Sequence, residues 1–208
     1  MAPQSFKDDN LHGNVPDSAS VVLMLVDVIN DLDFPGNGSL VKQAGRLGVR
    51  IAALKRRCYR AGIPVIYVND NRGRWRSDFG TVLSHSLRSG SLGKPLVEKL
   101  IPGSTDYVVL KPKHSAFYAT PLDTILTSLR SRAIILAGLT TAACILLTAG
   151  EIYIRDLKLY VPSDCVAALR KDDHLAALKL MRANFEAVTT PAARLNLKSI
   201  LRPNSSKN

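Results

Sequence analysis

The sequence predicts an α/β protein with a mostly parallel sheet. Two observations carry this. Continuously apolar runs that suit strands buried on both faces alternate with segments of helical periodicity, the pattern of repeated βαβ units. Several of those runs also end on a polar or catalytically capable residue, as strands of an open parallel sheet do at a ligand-binding edge.

The first strand reads Val21 to Val26 and ends on Asp27. Pro35-Gly36-Asn37-Gly38 marks a turn, and a helix follows from about Ser39 to Arg60, with Val41, Ala44, Leu47, Val49, Ile51 and Leu54 as its approximate apolar stripe. Val65 to Asn69 forms the second strand, followed by the polar loop 70–78 and a weaker helix over Thr81–Arg88. Tyr107 to Leu110 is the third strand, ending on Lys111. Pro121 to Leu129 reads as a helix with proline near its first turn. Ala133 to Ala137 is the fourth strand, Gly138-Leu139-Thr140-Thr141 leads out of it, and a helix runs from about Ala142 to Asp156. Leu159 to Pro162 is the fifth strand, Asp172 to Phe185 the last long helix, and Ala187 to Thr189 a short sixth strand.

A chain of 208 residues fits one domain with one core. Residues 1–18 are expected to be an N-terminal extension, 19–192 the domain, and 193–208 a tail. No apolar run reaches the ~18 residues of a membrane span. The polar N-terminus lacks a secretory h-region, so a cytoplasmic location is expected. Three separated cysteines, Cys58, Cys144 and Cys165, fit neither a disulfide framework nor a zinc motif. The net charge of +11 is spread along the chain without a nucleic-acid-binding signature, so no nucleic-acid partner is expected.

The strand ends bring Asp27, the loop containing Arg72, Arg74, Trp75 and Arg76, Lys111 and Cys144 to one edge of the sheet. Taken alone, Cys144 reads as a small core residue among alanines and leucines. Its place in the first turn of a helix changes that. The N–H groups and positive dipole end there favour thiolate and can receive an oxyanion. Asp27 is a base within reach of such a thiol, and Lys111 is the ammonium that keeps the pair charged. The plainer alternative is a structural Asp27–Lys111 ion pair. His114 is a rival base, set against a role in the pocket wall. The arginine and tryptophan loop reads either as a solvated turn or as a lid meeting an anionic or planar substrate. Phe34 and Phe117 read as core or pocket lining, and Cys58 and Cys165 as structural.

Three linked segments, Asp27-Val-Ile-Asn-Asp31, Lys111-Pro-Lys-His-Ser-Ala-Phe117 and Gly138-Leu-Thr-Thr-Ala-Ala-Cys144, resemble the isochorismatase-like cysteine hydrolases in order and spacing. The resemblance implies a three-layer α/β/α fold on a six-stranded parallel sheet, and a catalytic triad of Asp27, Lys111 and Cys144. It also implies a cis peptide between Leu139 and Thr140, an oxyanion hole from the N–H groups of Thr140 and Cys144, and a homo-oligomer. The implied activity is hydrolysis of an amide or ureide C–N bond in a small molecule through a thioester. Vinyl-ether hydrolysis or a non-catalytic binding role on this fold are the alternatives. Phe34, Asn69, Arg72, Trp75, His114 and Phe117 are the expected pocket residues.

The chain departs from the family in places. Ile29 stands where many members have glutamine, and His114 where many have an aromatic residue. Asn69-Asp70-Asn71-Arg72 replaces the Asp-x-His metal motif of nicotinamidases. The four histidines are scattered, so no metal, no cofactor and a substrate other than nicotinamide are expected.

Overall fold

The computed structural model describes residues 18–71 and 78–202. Six strands form one wholly parallel sheet. They are β1 (Val21–Val26), β2 (Val65–Asp70), β3 (Tyr107–Lys111), β4 (Ala133–Leu139), β5 (Lys158–Tyr160) and β6 (Val166–Ala167). The order is β3-β2-β1-β4-β5. β4 pairs with β5 through its first half and with β6 through Gly138 and Leu139.

Side-chain alternation along the central strands builds the layers. Val21, Leu23 and Leu25 of β1 point into one core with α1 (Gly38–Arg60), α2 (Phe79–Leu87), α3 (Lys94–Val97) and the C-terminal α7 (Leu197–Leu201). Val22, Met24 and Val26 point into the other, with α4 (Leu122–Ser128), α5 (Leu146–Ile154) and α6 (Lys171–Asn184). Both β1 and β4 are buried along their whole length, which explains their unbroken apolar sequence.

Two expectations need correction. The sixth strand is Val166–Ala167, whereas in 187–189 only Val188 pairs, in an isolated parallel bridge to Tyr160. Glu186 takes a left-handed φ of 52° before it, and Pro191 has no N–H to extend pairing after it. The segment after β4 is not a plain α-helix from its start. Thr141–Ile145 forms a π-helical turn, and α5 begins only at Leu146.

β1 and β4 approach most tightly at their carboxyl ends. Gly138, paired with Val26, has φ 124°, and a Cβ on it would lie 2.0 Å from the Val26 carbonyl oxygen. Only glycine lets the two backbones meet here. The chain order reverses direction across the sheet between these two strands, so the crevice beyond them is where a ligand of an open parallel sheet sits.

Candidate active site

Asp27 follows β1 with a left-handed φ of 53°. That turn aims its carboxylate across the strand ends, where Oδ1 accepts the N–H of Asp70 at 2.8 Å. Lys111 ends β3, two strands and roughly 10 Å from β1. Its long side chain crosses the end of β2 and places Nζ 2.9 Å from Asp27 Oδ2. The same ammonium donates to the Lys113 carbonyl at 3.1 Å and lies 3.5 Å from Cys144 Sγ. These three directions use its three protons. Asp70 supplies a second carboxylate, 3.8 Å from Nζ.

Cys144 lies in the π-helical turn. The peptide between Leu139 and Thr140 that leads into it is cis. The Thr140 carbonyl accepts the N–H groups of both Ala143 and Ile145, which closes the turn under the cysteine. Asp27 and Cys144 are within side-chain hydrogen-bonding reach. The His114 ring also approaches the sulfur, with Nδ1 3.5 Å from Sγ. Lys111, Asp27 and Cys144 are 0%, 5% and 8% exposed, while His114 is open to solvent.

This burial sets the proton inventory. Desolvation raises Asp27 above the usual carboxylate range, and Lys111 opposes that without cancelling it. Burial and the Asp27 charge push the Cys144 thiol up to about 12. Burial alone would lower Lys111, but its electrostatic interactions, above all with Asp27, reverse the effect and leave the ammonium above its ordinary value. The resting site therefore holds Cys144 as a thiol beside the Lys111 ammonium, with Asp27 keeping its proton more readily than an ordinary carboxyl group. The position near a helix start does not by itself yield a thiolate, because desolvation and the adjacent carboxylate outweigh it.

Of the other expected pocket residues, Asn69, Phe34 and Phe117 fall within the described residues. Asn69 is buried and donates from Nδ2 to the Ile29 carbonyl at 2.8 Å, tying the loop after β1 to β2, while its Oδ1 has no hydrogen-bond partner. Phe34 packs against the core on the α1 side, the layer opposite to Cys144. Phe117 shares a core cluster with Cys144, and the Arg155 guanidinium covers its ring at 4.1 Å. Arg72 and Trp75 lie outside the described residues.

Two contributors carried no assigned role in the sequence. Asp70 stands next to Asp27 because β1 and β2 end in register, a relation that only strand pairing reveals. Thr148, buried and four residues after Cys144, accepts the Ala116 N–H at 3.0 Å and pins the loop after β3 over the cysteine. The remaining histidines do not join His114. His85 pairs with buried Asp31 at 2.9 Å, and His174 meets Thr141 Oγ1 at 3.0 Å. Among the described residues no group of three or more His, Cys, Asp or Glu is placed to hold a metal ion. No helix among them is long and apolar enough to cross a membrane.

The isochorismatase domain family model matches residues 21–193. An uncharacterized isochorismatase family protein of Bacillus subtilis (strain 168), YaaI, is 35% identical over 173 residues, which cover 83% of this chain and 94% of that one. Ureidoacrylate amidohydrolase RutB of Methylobacterium radiotolerans is 27% identical over 228 residues, covering 92% and 88%. The crystal structure of N-carbamoylsarcosine amidase from Thermoplasma acidophilum aligns with a TM-score of 0.67 at 25% identity, over 85% of this chain and 99% of that one. With a family model spanning nearly the whole sheet and its helices, and a relative at this identity along most of its own length, the chain belongs to the isochorismatase-like cysteine hydrolase family, whose members are hydrolases and include amidases.

Proposed function

We propose that the protein hydrolyses a C–N bond, amide or ureide, of a small molecule through a thioester on Cys144. One observation carries the reading: a buried carboxylate, ammonium and thiol meet at the carboxyl ends of β1, β3 and β4. Asp27 takes the thiol proton as Sγ attacks the carbonyl carbon. The negative charge moves from Asp27 to sulfur but stays beside the same ammonium, because Lys111 Nζ is 2.9 Å from one and 3.5 Å from the other. A thiol held at about 12 therefore gives up its proton only when the attack is under way. The N–H groups of Thr140 and Cys144 receive the oxyanion. Asp27 then passes its proton to the departing nitrogen as the C–N bond breaks, and water cleaves the thioester.

Intact-mass measurement during turnover of a slow amide or ureide should show one acyl group added, mapping to Cys144 and removed by neutral hydroxylamine. Turnover of a vinyl ether by enzyme alkylated at Cys144, with no adduct on any amide, would overturn the reading in favour of acid catalysis by Asp27.

The pH profile gives a second test. The mechanism needs Asp27 ionised, and its pKa is raised, so kcat/KM rises with pH through a limb above the ~4 of an ordinary carboxylate. Asp27→Asn should lower kcat/KM by about 10²- to 10⁴-fold and remove that limb. Asparagine tolerates the left-handed backbone, so the variant isolates the chemistry. An acid limb that persists in Asp27→Asn belongs to another group.

A further inference from the structure

We propose that His114 is a second catalytic residue, the base that activates the water hydrolysing the thioester. The inference rests on the thioester reading above and concerns its second half, in which a water must lose a proton beside Sγ.

Asp27 is buried, with Oδ1 held by the Asp70 N–H and Oδ2 by Lys111. The imidazole of His114 is exposed, with Nδ1 3.5 Å from Sγ, in reach of a water that attacks the acyl carbon one bond from the sulfur. The backbone on both sides of His114 is anchored. The Lys113 carbonyl accepts from Lys111 Nζ, and the Ala116 N–H donates to Thr148 Oγ1. A base must lie within hydrogen-bond reach of the proton it takes, directly or through one water, and this loop holds the ring at that range.

In this step the water oxygen adds to the thioester carbon while its proton passes to the imidazole. The tetrahedral intermediate collapses, the C–S bond breaks, and sulfur leaves with the electron pair. Nδ1 returns the proton to Sγ. One water is consumed, one carboxylic acid is released, and neutral imidazole and thiol are restored. Asp27 serves the nitrogen leaving group, and His114 serves the water.

The test is rapid-quench intact-mass analysis of wild type, His114→Ala and His114→Gln with an amide substrate that acylates Cys144. The ring is exposed, so both variants should keep the wild-type melting temperature. In both, the first acylation should run within a few-fold of wild type. Deacylation should slow by about 10²-fold or more, making the acyl-enzyme the dominant steady-state species. Millimolar imidazole should speed deacylation in His114→Ala. Glutamine can hydrogen-bond but cannot carry the proton, so wild-type turnover in His114→Gln would reduce His114 to a wall residue and overturn the proposal. Slowed acylation without accumulation would overturn it too. A wild-type enzyme that never carries an acyl group is a different result, which overturns the thioester reading itself.

Discussion

Replacing Cys144 with alanine should abolish turnover while leaving the fold intact. The substitution removes one buried sulfur and keeps the backbone-compatible Cβ, so the loss of stability is that of a small cavity, about 1 kcal/mol. The Asp27–Lys111 pair survives, because its 2.9 Å contact does not involve the sulfur. The chemistry fares differently. Without a nucleophile no acyl-enzyme forms, and kcat/KM should fall by at least about 10⁴-fold. Measuring the melting temperature and kcat/KM on one preparation separates the two effects. A variant that melts like wild type and keeps its rate would exclude covalent catalysis.

Lys111→Met should be the most destabilising change at the site. Methionine matches the lysine stem but leaves Asp27 buried without its cation, a loss of about 3–5 kcal/mol for a broken buried pair. The group escapes part of that cost by keeping its proton, so its folded pKa climbs further above the unfolded value. A carboxylate raised in this way contributes stability at low pH that is lost as pH rises through its folded pKa. The gap in melting temperature between wild type and Lys111→Met should therefore be widest at neutral pH and narrow on acidification toward pH ~4. Adding Asp27→Asn to Lys111→Met should recover much of the loss, because it removes the stranded charge. Differential scanning calorimetry across that pH range checks both statements. A pH-independent gap would mean that the lysine acts through packing alone.

The sequence revealed different parts of this molecule unequally. The central strands were legible because burial on both faces leaves no room for polar residues in 21–26 or 133–137. The convergence of Asp27, Lys111 and Cys144 was legible because a parallel sheet collects strand ends at one edge. The two-residue β6 was not, since Val166–Ala167 is too short to show a period. Nor was the π-helical turn, because Thr141–Ile145 and the helix after it share one unbroken apolar composition. The protonation of the thiol depends on how deeply three groups sink together, and no local pattern records that. Asp70 acquires its position from the register of β1 against β2, which spacing along the chain does not encode.

The tight seam between Val26 and Gly138 also bears on how the protein is made. Asp27 and Cys144 follow β1 and β4, paired strands separated by roughly half the chain. During synthesis β1 emerges first and can pair with β2, while its other edge waits for β4, a long-range closure of the kind that slows folding. Until then an apolar strand edge stays open, a state prone to association between nascent chains. The cluster of Asp27, Lys111 and Cys144 can therefore assemble only after most of the polypeptide has been synthesised, and nascent fragments ending before β4 carry the aspartate and the lysine without the cysteine.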